Sequence, residues 1–331
     1  MKRHFLKFAA LAVIGSVVSA CGGSDDHDSQ PAGTIVQVAE AGGLSYLLAA
    51  ATKAELADEL SAASTAGLTV FAPTNAAFNT LATQLGLADG PALVAALPKE
   101  ALASILSYHV LPARKSAADL SSGVATQATI YSFEGSAATV RINTTAGVSI
   151  GDAVLTEARV TTANVAATNG VVHIVDKVLV PPGVLNVVQM AQANPAAFST
   201  LVGAVASAGL VPTLSSTTDP LARFTVFAPT NAAFEAIAST VAGLTPTQLS
   251  TVLTYHVLDS QVLSTAIPFG TPVTTVAGQD ITINAGTAPV IATITDTTAT
   301  PATITVVDVR ASNGVIHVID KVLIPSLTAP T

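Results

Sequence analysis

TVFAPTNAAF, residues 69–78, returns letter for letter as residues 225–234, and this repeated stretch decides the fold. Thr69, Val70 and Phe71 favour extended backbone, and Pro73, which has no N–H for a sheet ladder, ends the strand. Thr74 or Asn75 then caps a helix in which Phe78 and Leu81 share a face. The second copy repeats this switch through Pro229, Thr230, Asn231, Phe234 and Ile237. A chain of 331 residues has room for roughly two domains of ordinary size, and the repeat makes them two of one kind.

Upstream of each copy lies an apolar helical pattern: Ile35, Val38, Leu44, Leu47 and Leu48 in the first, broken at Gly42-Gly43, and Val187, Val188, Met190, Phe198, Leu201 and Val202 in the second. Downstream, Leu102, Ile105, Leu106 and His109 lie at i, i+3, i+4 and i+7, and Leu249, Val252, Leu253 and His256 repeat that spacing 147 residues on. The offset between copies falls from 156 to 147 across this interval, so the first copy carries nine extra residues around Leu85 to Leu93, assigned to a loop. Thr245-Pro246-Thr247-Gln248 is a capping box, whereas Leu97-Pro98-Lys99-Glu100 lacks the capping side chain. Both helices end in Tyr-His-Val-Leu, at 108–111 and 255–258. Strands are expected at Thr139–Asn143, Val148–Leu155, Asp280–Asn284 and Val290–Thr295. Each copy then closes on a hairpin. Asn169-Gly170 and Asn313-Gly314 suit a two-residue turn with positive φ at both central positions, and Val171–Val180 and Val315–Ile324 return as central strands.

Composition bounds the function. Half of the residues are apolar, 10% are charged and Trp is absent, which suits a buried core. Residues 1–20 have the pattern of a targeting leader: basic Lys2, Arg3 and Lys7, an apolar run from Phe8 to Val18 too short to cross a bilayer, then Val18-Ser19-Ala20-Cys21. This resembles a bacterial lipobox, in which Cys21 becomes the lipidated first residue, with a palmitate-type anchor. Cys21 is the only cysteine, so no internal disulfide forms. Loss of Lys2, Arg3 and Lys7 takes the 13 Lys plus Arg to 10 against 21 Asp plus Glu, a formal net charge of −11. With no basic cluster and 4% aromatic residues, the composition argues against nucleic acid as a partner. Residues 21–33 form a Gly, Ser and Asp tether, in which Asp25, Asp26, His27 and Asp28 make a solvated spacer rather than a metal site.

The order TVFAPTN-x-AF, YHVL and NGVIHVIDKVLIP, present twice, resembles fasciclin domains. The two matches span residues 34–181 and 184–325, leaving 326–331 as a tail. The resemblance implies an α+β fold in which each domain is a wedge-like β-sandwich with helices packed along one edge. It also implies an exported, non-catalytic protein that mediates adhesion or matrix contacts and needs no cofactor. In animal relatives the region around Tyr-His is associated with receptor binding, which makes Tyr108, His109, Tyr255 and His256 interaction candidates. Their position at the apolar helix face points instead to packing. One departure recurs: Ala76 and Ala232 stand where fasciclin domains often have an acid. That loss removes any binding mode needing negative charge there, and costs the helix only about 0.3–1 kcal/mol.

Two competing chemistries can be tested on the residues. Gly147-Val148-Ser149-Ile150-Gly151 matches the hydrolase pattern GxSxG, but residues 152–166 read as strand rather than as the helix that motif requires. His109, His256, His173 and His317 are matched pairs with no second ligand at metal spacing, so a buried ring bonded to a carbonyl is expected of each. Asp176-Lys177 and Asp320-Lys321 are expected to be strand-end or surface charges. The function expected is that of a lipoprotein anchored in the bacterial cell envelope, binding an envelope or extracellular protein or polysaccharide. The alternative is a small apolar ligand or lipid carrier, which requires an enclosed apolar cavity of roughly 300–1,000 Å³, and the third reading is a hydrolase. The oligomeric state is left open.

Overall fold

The computed structural model of the chain describes residues 33–62, 67–216, 223–288 and 290–327. The leader, Cys21, all but the last residue of the expected tether, and residues 328–331 lie outside these. In the first half run helices α1 (Ile35–Ala41), α2 (Ser45–Lys53) and α3 (Ala57–Ser61), strand β1 (Leu68–Pro73) and helices α4 (Asn75–Gln84), α5 (Gly90–Ala96) and α6 (Lys99–Tyr108). Strand β2 (Val110–Leu111), helix α7 (Ala117–Ser122) and strands β3 (Thr126–Phe133), β4 (Ser136–Asn143), β5 (Ser149–Gly151), β6 (Glu157–Ala167) and β7 (Gly170–Val175) complete it. The second half begins with α8 (Val187–Gln192), α9 (Pro195–Ser207), α10 (Val211–Leu214), β8 (Phe224–Pro229), α11 (Asn231–Glu235), α12 (Ala238–Ala242) and α13 (Pro246–Tyr255). It ends with β9 (Val257–Leu258), a 3-10 turn at Ser264–Ala266, and β10 (Pro272–Thr274), β11 (Asp280–Ala285), β12 (Ala292–Thr295), β13 (Ala302–Ala311) and β14 (Gly314–Ile319).

The repeated stretch forms the same switch in both halves. β1 and β8 end at their prolines, and Thr74 and Thr230 cap α4 and α11 by accepting from Ala77 N and Ala233 N. Asn75 does not cap: its side chain accepts from Tyr46 N and donates to Gly43 O, tying α4 to α2. Each half holds one seven-stranded sheet, ordered β2-β1-β7-β6-β5-β4-β3 and β9-β8-β14-β13-β12-β11-β10. β1 lies parallel to β7 and β8 parallel to β14, while every other neighbour is antiparallel. β6 pairs with β5 through Glu157–Arg159 and with β7 through Val160–Ala167, with register shifts between. Asn164, at φ 60°, marks the bulge, and Asp308 does so in β13. A bulge bends its strand and sharpens the twist, which lets one long strand serve both layers of a sandwich. The α+β class, with a folded sheet and helices against it in each half, is as the sequence implies.

Two expectations about the closing hairpins are corrected. The turn residues are Thr168-Asn169 and Ser312-Asn313, because Ala167 pairs with Gly170 and Ala311 with Gly314, and none of these residues has positive φ. The asparagines instead act through their side chains. Asn169 accepts from Ile35 N and donates to Leu60 O and Ala62 O, while Asn313 accepts from Val187 N and donates to Leu214 O and Ser216 O. The glycines are required by close approach: a Cβ on Gly170 would stand 2.4 Å from Leu68 O, and one on Gly314 2.2 Å from Phe224 O. The returning strands also stop early, at Val175 and Ile319 rather than at 180 and 324. Beyond them, side chains replace the ladder: Leu179 N and Leu323 N donate to His109 Nε2 and His256 Nε2, and Val180 N and Ile324 N donate to Asp152 and Asp296.

The nine extra residues of the first half are not a plain loop. They build α5, whose Leu93 and Val94 are buried. One continuous apolar cluster runs from Ile35 in α1 to Val322 beyond β14, and smaller clusters fill the far side of each sheet around Phe71 and Phe227.

Candidate functional site

The Tyr-His boxes are interior structures. Leu102, Ile105 and Leu106 turn α6 toward the core, which carries Tyr108 and His109 inward, each 1% exposed. His109 Nδ1 donates to Ile105 O at 2.7 Å while Nε2 accepts from Leu179 N at 2.9 Å, a pairing that only the neutral Nδ1–H tautomer satisfies. Tyr108 OH donates to Thr139 O at 2.8 Å, and its ring meets Tyr131 edge-on. The second domain repeats this. His256 bonds Val252 O and Leu323 N at 2.7 and 2.8 Å, and Tyr255 OH donates to Asp280 O at 2.8 Å. Burial lowers both imidazoles to about 4, against a smaller upward pull from Ile105 O and Val252 O. Burial likewise raises the Tyr108 and Tyr255 phenols, Tyr255 to about 12. The structure therefore joins each Tyr-His pair to its own domain's interior, and the four interaction candidates do not form one exposed surface.

His173 and His317 sit on the central strands. Their Nε2 atoms bond Lys115 O and Val262 O at 2.9 Å, and their Nδ1 atoms accept from the bulge residues Asn164 N and Asp308 N at 3.3 Å. Burial lowers both pKa values. The bulge side chains reach onward, Asn164 accepting from Ala117 N and Asp308 from Ser264 N and Oγ. All eight ring nitrogens of these four histidines thus have backbone partners. Ser149 of the GxSxG stretch lies in β5 between two strands, and its hydroxyl donates to a Glu157 oxygen at 2.7 Å. It has neither the elbow nor an imidazole bonded to it.

Two carboxylates went unnoticed in the sequence. Asp152 accepts from Val154 N, Thr156 N, Thr156 Oγ1 and Val180 N, and burial raises its pKa to about 6 against those donors. Its counterpart Asp296 accepts from Thr298, Ile324 N and Lys321 Nζ at 2.8 Å. Burial alone would raise Asp296, but Lys321 and the other donors outweigh it and hold the carboxyl below its usual value. Lys321 is therefore an internal counter-ion rather than a surface charge. Asp176 and Asp320 do stand at strand ends, accepting from Arg159 N and Thr303 N. The signal for Asp152 and Asp296 was their 144-residue offset, shared with His173 and His317.

The domain junction is held by specific bonds. Gly183 N donates to Arg310 O, Ser312 N to Leu185 O, Tyr131 OH to Pro182 O and Asn194 Nδ2 to Val154 O. Arg310 lies over the Phe133 ring at 5.4 Å and pairs with Glu134. A crevice of about 440 Å³ beside it is lined by Tyr108, Phe133, Arg141, Asp152, Asp308 and Arg310. The apolar cavity between Val187, Leu201, Leu253 and Val257 holds only about 40 Å³.

The fasciclin domain model matches twice, at residues 42–181 and 196–325. The Synechocystis sp. protein sll1483 is 39% identical over 148 residues, covering 43% of this chain and 75% of that protein. Rabbit (Oryctolagus cuniculus) transforming growth factor-beta-induced protein ig-h3 is 37% identical over 171 residues, covering 51% of this chain but 23% of its own length. Human periostin is 32% identical over 174 residues, or 51% of this chain and 19% of periostin. The chain thus spans a quarter or less of these two animal relatives. A solved FAS1 domain pair from the insect cell adhesion molecule fasciclin I aligns over 87% of this chain and 98% of its own, with 19% identity and a TM-score of 0.41. Two family matches, each with its own sheet and its own Tyr-His and Asn-Gly boxes, show that this chain belongs to the fasciclin domain family as a tandem pair.

Proposed function

We propose that the chain is a non-enzymatic cell-envelope lipoprotein, held through lipid on Cys21, that binds an envelope or extracellular protein or polysaccharide through its two fasciclin domains. Fasciclin domains are linked to cell adhesion and extracellular protein interactions. The observation that carries the reading is how fully the interior polar groups are used. The four box histidines, both box tyrosines, Ser149 and both missed carboxylates each bond within the fold, which leaves recognition to the outer surface. Against the carrier alternative, the apolar cavity between Val187, Leu201, Leu253 and Val257 holds about 40 Å³, far below the roughly 300 Å³ a small ligand needs, and the crevices of about 440 and 520 Å³ among the described residues are open to solvent.

Cys21→Ser tests the anchor. The variant should move from the membrane fraction to the soluble fraction, and mass spectrometry of the wild type should show a diacylated or triacylated Cys21. An intact, unmodified N-terminus starting at Met1 would reject the anchor. Capture of envelope proteins or polysaccharides by the lipidated chain, compared with the same chain heat-unfolded, tests the binding role. Equal capture by both forms would reject it.

A further inference from the structure

Among the differences between the helical faces of the two domains is α5, which the first has and the second lacks. In the first domain α5 lies across α2 and α4. Gly90 N donates to Asn79 Oδ1 at 2.8 Å, and Lys53 Nζ holds the other end through Val94 O and Ala95 O at 2.8 and 2.9 Å. A Cβ on Gly90 would fall 2.5 Å from the Tyr46 ring and 3.0 Å from Phe78, so only glycine lets the helix lie this close. In the second domain three residues, Gly243 to Thr245, lead from α12 to α13, and there is no equivalent of α5.

The register between the domains is set by a repeated bond. Thr200 N donates to Asn231 Oδ1 at 2.9 Å as Tyr46 N does to Asn75 Oδ1 at 3.0 Å. Thr200 thus stands in the place of Tyr46, Phe234 in that of Phe78, and Glu235 in that of Asn79. The smaller Thr200 and the missing helix leave an open groove of about 520 Å³, lined by Ser199, Thr200, Phe234, Glu235, Ala238 and Val241. Glu235 is exposed and has no hydrogen-bond or ion-pair partner among the described residues. It stands where the first domain places the acceptor for the first N–H of α5.

We propose that this groove docks a short apolar helix supplied by another protein, seated as α5 is in the first domain. The helix enters with its N-terminal turn at Glu235, and a small residue followed by Leu or Val faces Phe234. A carboxylate there accepts the free N–H groups of a first helical turn and meets the positive end of the helix dipole, a charge match that Asn79 only partly supplies in the first domain. The proposal rests on the reading that the chain works by binding, and adds the surface and the partner class.

The probe is a peptide with the sequence of residues 88–97 carrying Asp89→Ser, ASGPALVAAL, so that no second carboxylate faces Glu235, stapled on its solvent face to keep it helical and titrated into the isotope-labelled full chain. Amide shifts are expected at Thr200, Phe234, Glu235 and Val241. Ala238→Trp fills the groove from an exposed position and should weaken binding about tenfold or more, and Glu235→Lys should weaken it several-fold. Ser199→Trp, which also fills the groove from an exposed position, is the second blocking variant should Ala238→Trp fail to fold. Absence of shifts at about 1 mM peptide, or equal affinity in a folded blocking variant, would overturn the docking proposal. If envelope capture persists in that case, the binding function stands and only this groove is rejected.

Discussion

At the scale of single residues, the buried histidines set the response to acid. His109 and His256 fall from an ordinary value near 6.5 to about 4 on folding, so the unfolded chain binds more protons between those limits. Their stabilisation is complete above about pH 6.5 and is lost as pH falls toward 4, on the order of 3 kcal/mol per ring by the lower limit. His173 and His317 act in the same direction. Asp152 opposes them: its folded value is raised to about 6, so the stability cost of ionising it disappears as pH falls through 6 toward 4. With four rings against one carboxyl, the urea midpoint is expected to fall steadily from pH 7 to 4.5, and a flat midpoint would contradict the neutral-ring geometry. The same burial argues that His256→Ala lowers stability by about 1–3 kcal/mol, since Leu323 N loses its acceptor. Tyr255→Ala and His256→Ala in the full chain separate fold from contact. A reduced melting temperature is expected, whereas lost adhesion at an unchanged melting temperature would make the box a binding site.

At the scale of elements, the sequence was most readable where its signal was local. The strand-to-helix switch at Pro73, the caps at Thr74 and Thr245, and the apolar face of α6 each depend on neighbours within four residues. It was least readable where a side chain acts over distance. Asn169 reaches Leu60 and Ala62 more than a hundred residues away, so its dipeptide with Gly170 looked like a turn when its role is packing. The segment after β7 looked like strand because nothing nearby shows that His109 and Asp152 take its N–H groups. The inserted length in the first domain was visible as an offset, but the helix it forms was not, because α5 depends on Tyr46, Lys53 and Asn79 for its place. Gly314 offers a test of close approach against turn conformation. Gly314→Ala should destabilise by about 1–3 kcal/mol, because Phe224 O blocks the methyl group. Gly270→Ala, with positive φ but open space, should cost less, about 1 kcal/mol. Equal melting temperatures for the Gly314 variant and the wild type would show that β8 and β14 can move apart.

At the scale of the whole molecule, each domain completes its own sheet, yet the apolar core continues from one domain to the other. Residues 184–331 alone are therefore expected to unfold cooperatively by circular dichroism, with a lower midpoint than in the full chain. A featureless, unfolded spectrum would mean that the second domain cannot form without the first. The junction adds a constraint of another kind. Gly183, at φ +78°, leaves no space for a side chain beside Phe133, and bonds from Gly183, Ser312 and Asn194 fix the linker on both sides. Matching faces of the two domains consequently recur at one set separation, as the jaws of a caliper do. Under the proposed binding role, a polymer whose repeat equals that separation would occupy both faces for a single loss of translational freedom, whereas one of another pitch would occupy only one. A pair of weak sites held this way discriminates by period as well as by chemistry, a selectivity that two domains on a floppy linker would lack.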